Sequence, residues 1–348
     1  MSEKKLELGY MDECKPWQVE SRLFPSKAGG KPAWLDLENL PPVERLLCKK
    51  CGKTMIFLCQ IYAPYEENIK ESFENYLNNF HRTLFVFICR DPKCCERNNS
   101  DNLKVFRSSL QRNNRFYSYD PPDDTPMPGF SLSKWVDLCS VCGCLSQLRC
   151  SKCKEVHYCS KEHQVLDWKS GHKKECTSSP NSIRLSTILF PEFEINTEME
   201  ELEEEPATNK EEEELEKFKE LEIEGKAGTM PELSEKDLEA HASGTTDEAF
   251  EKFHKIVSFN PDQVIRYKVG GEPLWIAKEP LPESIPDCQI CGAPRQFEFQ
   301  VMPQMLTFLR ETELDFGVLV VYTCKASCLG DGSYREEFIF KQDVEISD

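Results

Sequence analysis

Lys27-Ala-Gly-Gly-Lys-Pro-Ala-Trp-Leu35 and Lys268-Val-Gly-Gly-Glu-Pro-Leu-Trp-Ile276 both read Lys-x-Gly-Gly-x-Pro-x-Trp-(Leu/Ile). The residues downstream of each stretch match as well. Trp34 precedes Cys48 by 14 positions and Trp275 precedes Cys288 by 13; Cys48-x2-Cys51-Gly52 then stands against Cys288-x2-Cys291-Gly292. Phe57 and Gln60 correspond to Phe297 and Gln300 at equal offsets. An apolar run enters a cysteine in both copies, Leu84–Cys89 and Val318–Cys324. From Cys94 to Arg107 and from Cys328 to Lys341 is 13 positions, each basic residue being preceded by phenylalanine. Matches kept in one order mark an internal repeat. Alternation such as Phe297-Glu-Phe-Gln-Val301 predicts half-buried strands in each copy.

Each copy carries four cysteines, and a Cys-x2-Cys turn sets two sulfurs on one side of a tetrahedral ion. The expected ligand sets are Cys48, Cys51, Cys89 and either Cys94 or Cys95 in the first copy, and Cys288, Cys291, Cys324 and Cys328 in the second. The competing reading is buried free thiols that merely pack. Gly29, Gly30, Gly270 and Gly271 suit turns of positive φ, and Trp34 and Trp275 read as core residues. Gly-Gly-x-Pro lacks the Lys-Ser/Thr of a phosphate-binding loop. A copy shorter than about 100 residues buries little surface alone, so the two are expected to pair into one pseudo-symmetric sheet.

Between the copies, Cys139-x2-Cys142, Cys150-x2-Cys153, Cys159-x3-His163 and His172-x3-Cys176 supply eight donors in four pairs. That is two tetrahedral sites, though spacing alone leaves the pairing open. Four protein donors per site leave no open position, so these zinc sites are structural. Cys144 and His157 are surplus to the eight.

The whole chain has 348 residues, 18 cysteines and a formal charge of −18. It contains no run of 18 apolar residues, and no apolar core comes after the lysines of Met1-Ser-Glu-Lys-Lys, so neither a membrane span nor a secretory leader is expected. A reducing compartment then makes zinc, rather than disulfides, the expected use of the thiols. Glu192 to Glu224 holds sixteen Glu and three Lys, a charge of −13, and reads as a disordered or marginally helical tether. Asp120–Gly129 carries four prolines and reads as a second linker. Thr245-x2-Glu248 reads as a capping box before a helix bearing Phe250, Phe253 and Val257, and Asn260-Pro261 as the start of another.

The 139–176 run resembles the MYND zinc finger, a cross-braced module. The resemblance implies that Cys139, Cys142, Cys159 and His163 share one zinc and Cys150, Cys153, His172 and Cys176 the other. His163 stands where that family more often has cysteine. The chain as a whole resembles the programmed cell death protein 2 family. This second resemblance rests on the repeat, the finger, Phe80-His81-Arg82, Phe116-Tyr-Ser-Tyr119, Leu189-Phe-Pro-Glu-Phe-Glu194, and Asp287-Cys288 with Gln300-Val-Met-Pro303.

The expected architecture is α+β and β-rich. It divides into an N-terminal β half (1–119), a Pro-rich linker (120–138), the finger (139–176), an acidic linker (177–244) and a C-terminal β half (245–348). Four zinc ions are expected, two of them in the finger. The resemblance implies a non-enzymatic nuclear and cytoplasmic factor that escorts a newly made basic small-subunit ribosomal protein and supports proliferation and survival. It also implies proline-containing peptides as partners of the finger. Tyr117 and Tyr119 are candidate anchors, and a monomer is expected. The alternative is a DNA-binding regulator linked to apoptosis, acting through the finger. Its net charge of +3, with Lys152, Lys154, Lys173 and Lys174 as possible phosphate contacts, is modest for nucleic acid. No nucleotide-loop, hydrolase or methyltransferase motif accompanies it, and His81, His241 and His254 stand without partners nearby in sequence.

Overall fold

The structure, a computed structural model, describes residues 5–64, 77–176, 188–200, 247–329 and 334–344. The expected tether at 201–244 and the stretch 177–187 lie outside the described residues.

In the first repeat the strands are β2 (Lys27–Ala28), β3 (Ile56–Tyr62), β4 (His81–Ile88) and β5 (Leu103–Leu110). Those of the second are β9 (Ile265–Tyr267), β10 (Arg295–Val301), β11 (Val318–Cys324) and β12 (Tyr334–Gln342). The halves join edge to edge, β5 antiparallel to β12, with Arg107 opposite Arg335. Spatial order β2-β3-β4-β5-β12-β11-β10-β9 is therefore a mirrored series about that seam. Both copies also carry a β-bulge at the same place, Phe57/Cys59 and Phe297/Phe299.

Two further strands close the sheet into a barrel. β1 (Glu7–Glu13) pairs with β9 on one side and with β8 (Phe193–Met199) on the other, and β8 pairs with β2. This corrects the acidic-linker boundary: Phe193–Met199 is a strand within the segment expected to be a tether. Its glutamates stand on the solvent side or at the rim while Ile195 is buried, and backbone pairing on both edges holds it. A charge count averages the two faces of a strand and so hides this arrangement.

The expectation of half-buried strands is also corrected. β4 and β11 are buried along their whole length. On β4, Leu84, Val86 and Ile88 point into the barrel core, whereas Phe85 and Phe87 pack on its outer face; Leu319 and Val321 against Val320 and Tyr322 repeat this on β11. The outer face is covered on the first half by the finger, with its hairpin β6 (Leu148–Arg149) and β7 (His157–Tyr158) and its helix α1 (Lys161–Asp167), and on the second in part by helix α2 (Glu248–Ser258). Asp247 caps α2, accepting from the Ala249 N–H at 2.9 Å, while Thr245 of the expected capping box lies outside the described residues; Phe253 and Val257 are the helix's buried residues. Asn260–Gln263 forms a turn rather than the second helix expected there. Residues 120–138 contain neither strand nor helix.

Gly-Gly in the first repeat has a steric cause. Gly29 and Gly30 have φ of 67° and 64°, and a Cβ on Gly29 would lie 1.8 Å from the Pro191 carbonyl at the entry to β8. Of the Gly-Gly pair in the second repeat, Gly270 has positive φ and Gly271 does not.

Candidate metal centres

Four Cys-x2-Cys turns share one backbone design. The first cysteine's carbonyl accepts the N–H of the residue four positions on: Gly52 to Cys48 at 2.9 Å, Gly143 to Cys139 at 2.9 Å, Lys154 to Cys150 at 2.9 Å and Gly292 to Cys288 at 2.8 Å. That fourth residue has positive φ in every case, 69°, 72°, 63° and 71°. The turn folds back over its cysteines and leaves two thiols facing one way, which is what a tetrahedral site requires.

A second pair completes each centre. Cys48, Cys51, Cys89 and Cys94 converge, as do Cys288, Cys291, Cys324 and Cys328, every donor atom lying within 4.8 Å of the others. Cys89 and Cys324 end or come directly after the apolar strands, while Cys94 sits on a one-turn helix (Pro92–Cys94) capped by Asp91. The geometry selects Cys94 over Cys95, whose thiol instead donates to the Asp315 carbonyl at 3.0 Å. In the finger the groups are Cys139, Cys142, Cys159 and His163, and Cys150, Cys153, His172 and Cys176. Helix α1, capped by Ser160, carries His163, and a wider turn (Trp168–His172) carries His172. His163 offers Nδ1, 3.1 Å from Cys159 Sγ, and His172 offers Nε2, 3.6 Å from Cys153 Sγ. Cys144 and His157 lie outside both groups.

The donor sets fit zinc. They consist of thiols and imidazoles without a carboxylate, the soft set this ion favours. Sulfur separations are 3.6 Å for Cys51–Cys89, 3.5 Å for Cys142–Cys159, 3.7 Å for Cys150–Cys176 and 3.6 Å for Cys288–Cys328. Ligands at the Zn–S distance on a tetrahedron are about 3.8 Å apart, far from the disulfide distance of about 2.05 Å. Burial pushes the Cys89 and Cys328 thiols up and holds Cys94 at about 11. Bound zinc would supply the positive charge that makes these groups thiolates.

The finger is seated on the first repeat. Trp34, fully buried, donates its Nε1–H to the Gly143 carbonyl at 2.7 Å, and Lys31 Nζ donates to the Ser140 carbonyl at 2.7 Å. Tyr117, a candidate anchor, is structural: its hydroxyl donates to the Trp34 and Leu35 carbonyls at 3.0 and 2.8 Å. Tyr119 is exposed beneath the Arg112 guanidinium.

Family models agree with this layout. Programmed cell death protein 2, N-terminal domain, matches residues 5–124; the MYND finger matches 139–176; Programmed cell death protein 2, C-terminal putative domain, matches 247–343. Programmed cell death protein 2 of Mus musculus is 45% identical over 97% of this chain and 96% of its own length. The chain belongs to the programmed cell death protein 2 family. The family's protein from Rattus norvegicus is 44% identical over the same shares. A more distant relative, Probable 20S rRNA accumulation protein 4 of Schizosaccharomyces pombe, is 28% identical over 27% of this chain and 27% of its own. No solved structure matches.

Two features of this family member escaped sequence reading. One is the Arg82–Glu298 ion pair, whose partners are 216 positions apart. The other is the seat of the finger, for which Lys31 in one copy against Glu272 in the other is the visible signal.

Proposed function

We propose that this protein is a non-enzymatic, zinc-loaded chaperone for a newly made basic protein of the small ribosomal subunit, working as a monomer in cytoplasm and nucleus. The observation that carries the reading is the closed set of metal centres. Each of four clusters presents four protein donors, which fill a tetrahedral shell and leave no position for water or substrate. Zinc in such sites braces a binding scaffold. The name of the fission-yeast relative, with its 20S rRNA accumulation, points the scaffold toward ribosome production. The −13 charge between Glu192 and Glu224 suits a lysine- and arginine-rich client, drawing it in over long range and competing with RNA for it.

The test uses the full-length zinc-loaded protein and small-subunit ribosomal proteins purified one at a time. One of them is expected to bind, and to bind less tightly as salt rises and when the glutamates of 200–216 are neutralised. Failure of every such protein to bind overturns the reading. Affinity indifferent to salt and to the glutamates removes the acidic stretch from the mechanism.

A further inference from the structure

The two repeats hold their Gly-Gly-x-Pro-x-Trp loops alike, yet the finger covers only the first; on the second, α2 covers part of the face and leaves the rest open. In the first, Gln60 holds the Pro-Ala-Trp loop, accepting the Ala33 N–H at 2.9 Å and donating to the Ala33 carbonyl at 3.3 Å. In the second, Gln300 holds Leu274 the same way, at 2.6 and 3.0 Å. Trp34, Phe57, Phe87 and Phe106 line the outer face of the first half and are fully buried. Their counterparts are Trp275, Phe297, Tyr322 and Phe340, and one ring contact recurs: Phe57–Phe87 at 5.9 Å becomes Phe297–Tyr322 at 6.2 Å, whereas Trp34 meets Phe85 and Phe87 and Trp275 meets Phe340. Here, however, Trp275 and Phe340 are only half-buried, as is Phe338, whose ring lies 6.0 Å from that of Tyr322.

The difference is the finger. Its first knuckle gives Trp34 a carbonyl at Gly143 and Lys31 a carbonyl at Ser140. On the second half Trp275 Nε1 has no hydrogen-bond partner among the described residues, and position 31's counterpart is Glu272, exposed and acidic. Glu279, Glu283 and Asp287 stand exposed on the loop running on from Trp275 to Cys288, against a single exposed base, Lys278.

We propose that the Trp275–Phe340 face is the seat of the client: a basic turn of the partner protein docks there as the finger's knuckle docks on Trp34. It presents a backbone carbonyl to Trp275 Nε1–H and a lysine or arginine to Glu272. Charge complementarity chooses this occupant. The chain's own stretch 201–246 carries sixteen acidic residues against five basic ones and is repelled by Glu272 and its neighbours. A second copy has no free knuckle to offer at Gly143, which its own Trp34 occupies. The assignment rests on the chaperone reading and places its binding surface.

The experiment titrates wild-type protein, Glu272→Lys and Trp275→Phe with small-subunit ribosomal proteins purified singly. Zinc content and thermal midpoint serve as the check on folding. The ribosomal protein that binds wild type is expected to lose about tenfold in affinity to Glu272→Lys by charge reversal. Trp275→Phe keeps the ring packing, removes the donor and is expected to cost about fivefold. If that protein binds both variants as it binds wild type, this surface is not the seat, while the chaperone reading stands. If none binds wild type, the chaperone reading falls and the occupant named here falls with it. Self-association of wild type that Glu272→Lys abolishes would make the occupant a second copy and overturn the proposal.

Discussion

Arg82 of the first repeat and Glu298 of the second meet across the inside of the barrel, Nη2 to Oε2 at 2.7 Å, with both side chains wholly excluded from solvent. They stand on β4 and β10, which are not neighbours in the sheet, so the pair ties the halves through the core rather than along an edge. The β-bulge at Phe297/Phe299 puts Glu298 on the inner side. Thr323 and Tyr267 donate to its carboxylate, and Arg82 donates also to the Ala63 carbonyl and the Ser327 hydroxyl. Burial alone would raise the Glu298 carboxyl, but the Arg82 guanidinium beside it holds it below the usual carboxylate range.

Removing Arg82 leaves the Glu298 carboxylate buried in the barrel without its ion-pair partner, with the Thr323 and Tyr267 hydroxyls still donating to it. Arg82→Met is expected to destabilise the barrel by about 3–5 kcal/mol, read as a shift in the urea midpoint. Arg82→Met with Glu298→Met should recover part of that loss, because two apolar groups need no partners. Equal stability of the single variant and wild type would show that water reaches Glu298.

The four centres should be separable by metal counting. Wild type is expected to hold four zinc ions, and Cys51→Ser and Cys291→Ser three each, by elemental mass spectrometry on purified protein. Two ions in wild type would mean that only the finger is loaded. Chelation should unfold the finger, since a segment of this size draws roughly 10–16 kcal/mol of apparent free energy from its metal.

The left-handed residue of each knuckle gives a graded series. Lys154, at φ 63°, holds a side chain where the other three turns have glycine, so Lys154→Gly should stabilise the finger by about 0.5–1 kcal/mol. Gly52→Ala meets no atom within 4 Å and should cost only the backbone strain of about 1 kcal/mol. Gly143→Ala should cost more, because its Cβ would lie 2.7 Å from Lys31 Cβ and lift the finger from its seat. Thermal midpoints of the three variants check the order.

His81 supplies a pH dependence. Burial, and then the charge of Arg112, push its imidazole down to about 4; it stacks on Phe24 at 4.1 Å and meets the Tyr62 hydroxyl at 3.0 Å. Its folded pKa lies below the unfolded value of about 6.5, so the unfolded chain takes up the proton first. The contribution of neutral His81 is full above about pH 6.5 and lost as pH falls toward 4, with a slope of at most about 1.4 kcal/mol per unit. Denaturant titrations of wild type and His81→Phe at several pH values isolate this term from metal loss, which both proteins share. Parallel curves for the two would rule it out.

Much of the metal chemistry was legible in the chain, and for a local reason. A Cys-x2-Cys knuckle is a turn of five residues whose hydrogen bonds close within itself, so its spacing is its structure. The apolar runs ending at Cys89 and Cys324 read as strands on the same footing. Cys94 and Cys95 could not be told apart, because adjacent thiols differ only in which way a single helical turn points them, and Asp315, 220 positions on, receives the second. Likewise β8 stayed hidden in an acidic stretch because its partners, β1 and β2, lie some 160 residues or more upstream.

By itself the sequence determined that the molecule is doubled, where each copy turns, and which thiols and imidazoles come in close pairs that can face an ion. Only the tertiary structure decided how the doubled sheet closes on itself, which charges cross its core, and that one repeat wears the finger while its twin stands half bare. Spacing dictates what neighbouring residues can do, whereas closure, core pairing and coverage are settled between surfaces that meet only after the chain has folded.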